Sequence, residues 1–334
     1  MLLVGDIGAT HARLALISVE HGLARPAREN TLPSQRYATF DQVVAEFLTP
    51  PAPAPIERAV FAVAGPVVHG RADLTNVGWV IDEKALGASL GVPSVRLLND
   101  LVALAYGVPQ LAPGALRTLQ RGEPEVHGPI AVVAPGTGLG EAYLSWDGTG
   151  YRARPSEGGH ADFAPTDELQ VDLLSWLWAR FDHVSYERVC SGSGLPNLYD
   201  FLKARGAAPE QPSVADRIAA AEDPSPVIVE AAFDERAPSA LCVATLELFA
   251  TILAAEAGNA ALRGLATGGV YLGGGMPRRI LPLLERPSFV ERFRAKGRLA
   301  AVAERMPLHV IVARGTALRG AAHVALTDER AARD

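Results

Sequence analysis

Residues 2–18 and 130–146 repeat one design: a short apolar strand, a turn of small residues, then a second strand. The first reads LLVG, DIGATH, ARLALIS, and the second IAVVA, PGTGLG, EAYLSW. A glycine turn between two strand-like runs is hairpin chemistry. Two such hairpins more than 120 residues apart suggest two related halves, each opening on a phosphate-gripping turn. Coincidence between two ordinary hairpins accounts for the pattern equally well at this point.

Length supports two halves. A chain of 334 residues, 49% hydrophobic and 20% charged, is long enough for two separate cores. Between the hairpins, VRLL at 95–98 reads as a buried strand that ends at Asn99 and Asp100 before the helix-like LVALAYGV. In open α/β sheets, ligands bind beyond the carboxyl ends of strands, so Asp100 is a candidate by location. A third strand, VYL at 270–272, runs into Gly273, Gly274 and Gly275. LHVIV at 308–312 and a helix from about Thr316 are expected to return to the first domain.

The remaining pattern is scaffolding. Asp167 with Gln170 can cap a helix carrying Leu169, Leu173, Leu177 and Phe181. Residues 239–263 are apolar around most of the helix circumference and read as a helix buried on several sides. The run Leu248 to Ala255, bounded by Glu247 and Glu256, is far short of a membrane span. PPAPAP at 50–55 and the proline-bearing stretches of 205–226 read as loops. RFRAKGR at 292–298 reads as a solvated helix face.

Charge and cysteine usage exclude several functions. A net charge of −6 and a pI near 5.8 argue against a nucleic-acid surface. Cys190 and Cys242 form no C-x-x-C pair, so neither a disulfide framework nor a zinc cluster is expected, and a reducing compartment fits. Gly5 and Asp6 interrupt the first apolar run, which does not read as a signal sequence, so a soluble cytoplasmic protein is expected.

Phosphate oxygens need backbone N–H groups brought close without a Cβ in the way. Gly8 and Thr10 in the first turn, and Gly136, Thr137, Gly138 and Gly140 in the second, can supply them. No G-x-G-x-x-G spacing and no G-x-x-x-x-G-K-[ST] loop occurs, so the dinucleotide and P-loop readings fail. Asp6 beside the first turn would repel phosphate unless a cation lay between, which suits a water-mediated Mg²⁺ contact; otherwise it only caps its turn. Arg13 either touches phosphate or pairs with a carboxylate. PSEGGHADFAP gathers Glu157, His160 and Asp162 around a Gly-Gly pair, a spacing suited to a hydroxyl-rich ligand. Glu187, in SYERVCSGSG, reads alone as a helix-face charge.

Taken in order, GDIGATHARLAL, LTNVGWVID, LLNDLVALAYG, PGTGLGEAYL, PSEGGHADFAP, ERVCSGSGLPNLYDFL, GGVYLGGG and KGR resemble the bacterial glucokinase family of the hexokinase and actin-like superfamily, over nearly the whole chain. The resemblance implies a two-domain actin-like, ribonuclease H-like α/β fold with nucleotide and sugar in a cleft between the domains. The smaller domain would span residues 1–110, completed by about 308–327, and the larger 111–307. It implies ATP- and Mg²⁺-dependent phosphorylation of the 6-hydroxyl of D-glucose, commonly by a homodimer. By position, Asn99 and Asp100 match the sugar-binding pair, with Asp100 the general base, and Glu157, His160 and Glu187 match residues that hold the other hydroxyls. Asp6, Ile7, Gly8, Ala9, Thr10 and His11, Gly136 to Gly140, and Gly273 to Gly275 match the nucleotide-binding segments.

Three positions depart from the family pattern. The first turn usually reads D-x-G-G-T-N, and Ala9 and His11 replace the second glycine and the asparagine. A methyl at Ala9 restricts the turn if φ is positive there, and His11 brings a group that titrates near neutral pH. Arg319 stands where the family tends to be apolar. Asp100 is expected to ionise near the ordinary carboxylate value of about 3.9. A kinase for another hexose, a sugar-responsive regulator without catalysis and a structural nucleotide-binding module remain as alternatives. The regulator would need an N-terminal helix-turn-helix and a cysteine-rich zinc motif, and the module would leave SEGGH without a purpose.

Overall fold

The computed structural model describes residues 1–20 and 23–327. It divides into two units, one of Met1–Pro113 with the chain from Ala313 onward, the other of Gly114–Val312.

The first unit is built on strands β1 (Leu2–Ile7), β2 (His11–Glu20), β3 (Leu23–Pro33) and β4 (Arg58–Val63). A small antiparallel sheet follows, of β5 (Val67–Val68), β6 (Arg71–Leu74) and β7 (Trp79–Asp82), and then β8 (Ser94–Asn99). The main sheet runs in the order β3-β2-β1-β4-β8, with β1 antiparallel to β2 and parallel to β4. The second unit holds β9 (Leu116–Gln120), β10 (Ile130–Pro135), β11 (Leu139–Trp146), β12 (Tyr151–Ser156), β13 (Gly269–Leu272) and β14 (Leu308–Ile311). Its order is β12-β11-β10-β13-β14-β9. Each sheet therefore has a three-strand antiparallel meander followed by two parallel strands, and the two glycine hairpins occupy equivalent places. The shared topology is the repeat that the hairpins suggested; the second sheet adds β9 at its edge, antiparallel to β14.

Strand β1 is apolar at Leu2, Leu3, Val4 and Ile7 because both of its faces are covered, and Asp6 is its one charged residue. Leu3 and Ile7 join a core with Phe40, Phe61 and Trp79, while Leu2 and Val4 point the other way, to Leu318, Ala321 and Val324. At Gly5 the sheet leaves no space, since a Cβ would lie 2.7 Å from the Phe61 ring and 2.8 Å from Leu14.

Helices α1 (Phe40–Phe47) and α2 (Glu83–Leu90) contribute to the first of these cores, and α3 (Asp100–Gly107) to the second. The second unit carries α4 (Glu168–Trp178), α5 (Leu195–Ala204), α6 (Pro212–Ala220), α7 (Ser225–Ala232) and α8 (Ala240–Gly264). The short α9 (Met276–Arg279) and α10 (Leu281–Leu284), then α11 (Pro287–Arg294) and α12 (Ala300–Arg305), complete it. The last helix, α13 (Thr316–Thr327), packs beside α3 on the first sheet. Their backbones nearly touch: a Cβ at Gly320 would overlap the Ala103 carbonyl, and one at Gly107 the Thr316 carbonyl.

Four expectations change. The strand expected at 308–312 to return to the first domain is β14, which pairs with β13 and β9 in the second sheet; only α13 returns. An apolar run predicts a strand but not the partner that its edge will meet. The proline-bearing stretch near 205–226 is not all loop, because α6 fills 212–220 and α7 starts at Ser225. Their prolines sit in the first turn, where the missing N–H has no intrahelical partner to lose. RFRAKGR is not a solvated face: Arg294 Nε donates to Gln120 Oε1 at 2.5 Å, and Lys296 Nζ is turned inward to Ala255 O and Asn259 Oδ1. Finally, α8 is one 25-residue helix, long and apolar enough to cross a membrane by composition. It lies inside the core of the second unit, with 72% of its most apolar window buried.

Asp167 caps α4 as its spacing implies, its Oδ1 accepting the Gln170 amide at 3.0 Å. The helix ends at Trp178, so Phe181 lies beyond it. Both thiols, Cys190 and Cys242, are buried and free.

Candidate active site

In the first unit the candidate residues collect where β8 becomes α3. Asn99 is the N-cap, its Oδ1 accepting the amides of Leu101 (3.0 Å) and Val102 (3.3 Å). Its Nδ2 donates to the Gly65 carbonyl at 3.1 Å, which ties the cap to the chain after β4. Asp100 begins the helix, and its Oδ1 accepts the Leu101 amide at 2.9 Å.

Burial pushes the Asp100 carboxyl up to about 6, against the opposing pull of the Leu101 amide and with a further push from the Asp6 carboxylate. The expectation of an ordinary value near 3.9 is thereby corrected, because the site is drier than a strand end in a sequence suggests. Asp6, near the end of β1, is itself raised by burial and pulled back by Arg13. Arg13 Nε donates to Glu29 Oε1 at 2.6 Å, so of its two readings the carboxylate pairing is the one present.

The first turn is closed by the Gly8 amide donating to His11 O at 2.9 Å. Ser34, fully buried, binds it twice: its Oγ donates to Gly8 O at 2.7 Å and its amide to Thr10 O at 2.9 Å. Ala9 is not among the residues with positive φ, so its methyl imposes no strain. The Ile7 side chain is buried in the core, and its carbonyl accepts the Ala64 amide. Thr10 and His11 are exposed.

In the second unit the turn after β10 is held in the same manner. Gly136 N donates to Gly138 O (2.8 Å), while Gly192 N and Ser193 N donate to the carbonyls of Gly136 (2.8 Å) and Thr137 (3.0 Å). Glu187 is part of this support: its Oε2 accepts the Leu139 amide at 2.9 Å, and its carboxylate occupies the space that a Cβ on Gly138 would need. Gly140 follows on β11.

Glu157 and His160 flank the Gly158–Gly159 pair and are exposed. The two glycines are required by crowding, because a Cβ on Gly158 would strike the Glu141 carboxylate and one on Gly159 the Leu139 carbonyl. The segments 161–163 and 184–186 run side by side through Phe163 N to Val184 O and Tyr186 N to Ala161 O. His160 and Glu187 accordingly line one pocket of about 500 Å³, with His183, Ser185 and Arg188; Glu157 is not on its wall. Asp162 is turned to His183, 2.8 Å away. After β13, Gly273 N donates to Val133 O, and Gly274 takes φ +78° where a Cβ would meet the Pro135 carbonyl. Gly275 has open space around its α-carbon.

A family model described as glucokinase matches residues 3–328. The chain belongs to the glucokinase family. Among curated relatives, the glucokinase of Trichormus variabilis is 39% identical over 96% of this chain and 98% of its own. That of Caulobacter vibrioides is 37% identical over 98% and 95%. Among solved structures, the glucokinase of an Antarctic psychrotroph superposes with a TM-score of 0.82 at 30% identity, covering 97% of this chain and 98% of that one. A ROK-family glucokinase from Streptomyces griseus, solved with glucose and AMPPNP, shares the fold at a TM-score of 0.63 and 19% identity, covering 97% and 98%. The fold is thus that of the actin-like sugar kinases.

Several members of the glucokinase framework have no sequence signal of their own. Ser34 and Gly65 act through hydrogen bonds to distant segments, two from Ser34 and one to Gly65, and neither belongs to a spaced motif. Glu141 stands inside PGTGLGEAYL, where alternation along β11 could have marked a buried charge.

Proposed function

We propose that this glucokinase-family chain transfers the γ-phosphoryl group of ATP to the 6-hydroxyl of D-glucose, giving glucose 6-phosphate and ADP at the entry to glycolysis. The observation that carries the reading is Asp100: a carboxylate at the start of α3, held by the Leu101 amide and raised to about 6. It is about nine-tenths ionised at pH 7, and more basic than an ordinary aspartate.

Phosphoryl transfer in most analyses has loose bonding at phosphorus, so the protein mainly aligns attacker and leaving group and neutralises charge. Asp100 orients the 6-hydroxyl and accepts its proton as the new oxygen–phosphorus bond forms. Asn99, Glu157, His160 and Glu187 hold the remaining hydroxyls. The amides of the Gly8–His11 and Gly136–Gly140 turns and the Gly273–Gly275 segment receive the nucleotide.

Mg²⁺ enters with ATP as part of the substrate. It takes one or two carboxylates with phosphate oxygens and waters. Asp6, a partly buried carboxylate at the end of β1, would hold it through water. The buried free thiols and the charge of −6 support a cytoplasmic protein without nucleic-acid or membrane partners, and the family suggests a homodimer.

A coupled ADP assay with glucose, mannose, fructose and glucosamine tests the reading. Turnover on glucose with the highest kcat/KM is expected; preference for another hexose would reassign the substrate, and ADP release with none of them would overturn the proposal.

A further inference from the structure

Beneath the segments assigned to the sugar lies a buried polar cluster that the reaction as described leaves unused. Glu256, Asn259 and Arg263 share one face of α8, and Glu141 reaches them from β11. Both carboxylates are fully buried. Arg263 Nη2 donates to Glu256 Oε1 and lies 3.3 and 3.4 Å from the two Glu141 oxygens. Asn259 Nδ2 donates to Glu256 Oε2 at 3.0 Å, and its Oδ1 accepts from Lys296 Nζ at 2.6 Å.

The cluster meets the sugar segments twice. The amide of Asn259 donates to the Tyr186 hydroxyl at 2.9 Å, and Tyr186 immediately precedes Glu187. Glu141 Oε2 lies against the α-carbon of Gly158, which immediately follows Glu157. Glu157, His160 and Glu187 come from two loops, and loops left to themselves do not hold a constellation to the tolerance that positioning demands. Here one loop rests on α8 through Asn259 and the other on β11 through Glu141, and Arg263 joins the two supports.

We infer that the α8 cluster is the common anchor of both sugar segments, so that Tyr186, Asn259 and Glu141 are positioning residues for glucose in the reaction proposed above. A purely structural network would serve the stability of the second unit and nothing else. The two roles differ in what a small perturbation moves.

Burial and the neighbouring Glu256 push Glu141 well above the usual carboxylate range, which favours its neutral, hydrogen-bonding form. Glutamine is then its close mimic. Tyr186 offers an equally mild change, because its ring packs edge-on against Phe163 and survives loss of the hydroxyl.

The test is steady-state kinetics and thermal unfolding of the full chain, with Tyr186→Phe, Glu141→Gln and Glu141→Ala. For Tyr186→Phe and Glu141→Ala, KM for glucose should rise about tenfold, the scale of one lost buried hydrogen bond, and by more than KM for ATP, which is reached only through the Glu187 contact to Leu139; Glu141→Gln should restore the glucose KM. Equal changes in both KM values, or a glucose KM within twofold of wild type, would overturn the anchor. Tyr186→Phe decides the matter if Glu141→Ala does not fold. Wild-type turnover in the hexose panel separately reads the reaction itself; if another hexose is preferred, its KM is the one compared.

Discussion

Glu187 accepts the amide of Leu139 across 48 residues of sequence, so one carboxylate both faces the His160 pocket and closes the Gly136–Gly138 turn. A residue matched to the sugar is thereby tied to the hairpin matched to phosphate. Removing it should disturb both ligands. Glu187→Ala is expected to raise KM for glucose and for ATP together, and to cost about 1–3 kcal/mol by orphaning the Leu139 amide. Urea unfolding and two-substrate kinetics check this; an unchanged KM for ATP would separate Glu187 from the turn.

Asp100→Asn should lower kcat by roughly 10²–10⁴-fold, the usual worth of a positioned general base, with KM for glucose nearly kept. Rapid-quench turnover close to wild type would remove Asp100 from its role.

The same substitution should stabilise the fold. Because the folded value of Asp100 lies above the ordinary value of 3.8, the unfolded chain releases this proton first. Wild-type stability from this group is therefore full below pH 3.8, declines as pH rises to about 6, and stays lost above that. The interval corresponds to at most about 3 kcal/mol. Asp100→Asn recovers part of it at pH 7, read as a higher Tm than wild type, and the gain should vanish near pH 4.

Activity has the opposite pH dependence to stability. The base must be ionised, so kcat/KM for glucose should fall tenfold per pH unit below about 6. A profile flat from pH 7 to 5 would contradict the burial of Asp100.

Ala9→Gly should leave KM for ATP within twofold. The turn already accommodates the methyl without positive φ, so restoring the family's usual glycine relieves nothing. A large gain in ATP affinity would show that the methyl obstructs phosphate directly.

What the sequence determined by itself is local. Strand–turn–strand hairpins at 2–18 and 130–146, the strand end at Asn99 and the Asp167 cap all depend on residues a few positions apart. Backbone preference and short-range hydrogen bonds leave their spacing readable. The family strings supplied the site residues by position. Tertiary structure decided the rest, for one physical reason: burial and long-range contact have no local spacing. Thus β14 chose the second sheet, Lys296 left the surface for Asn259, and desolvation moved Asp100 to about 6. Likewise Glu141, an unremarked residue in a strand, came to lie under Gly158 only because β11 and α8 enclose it.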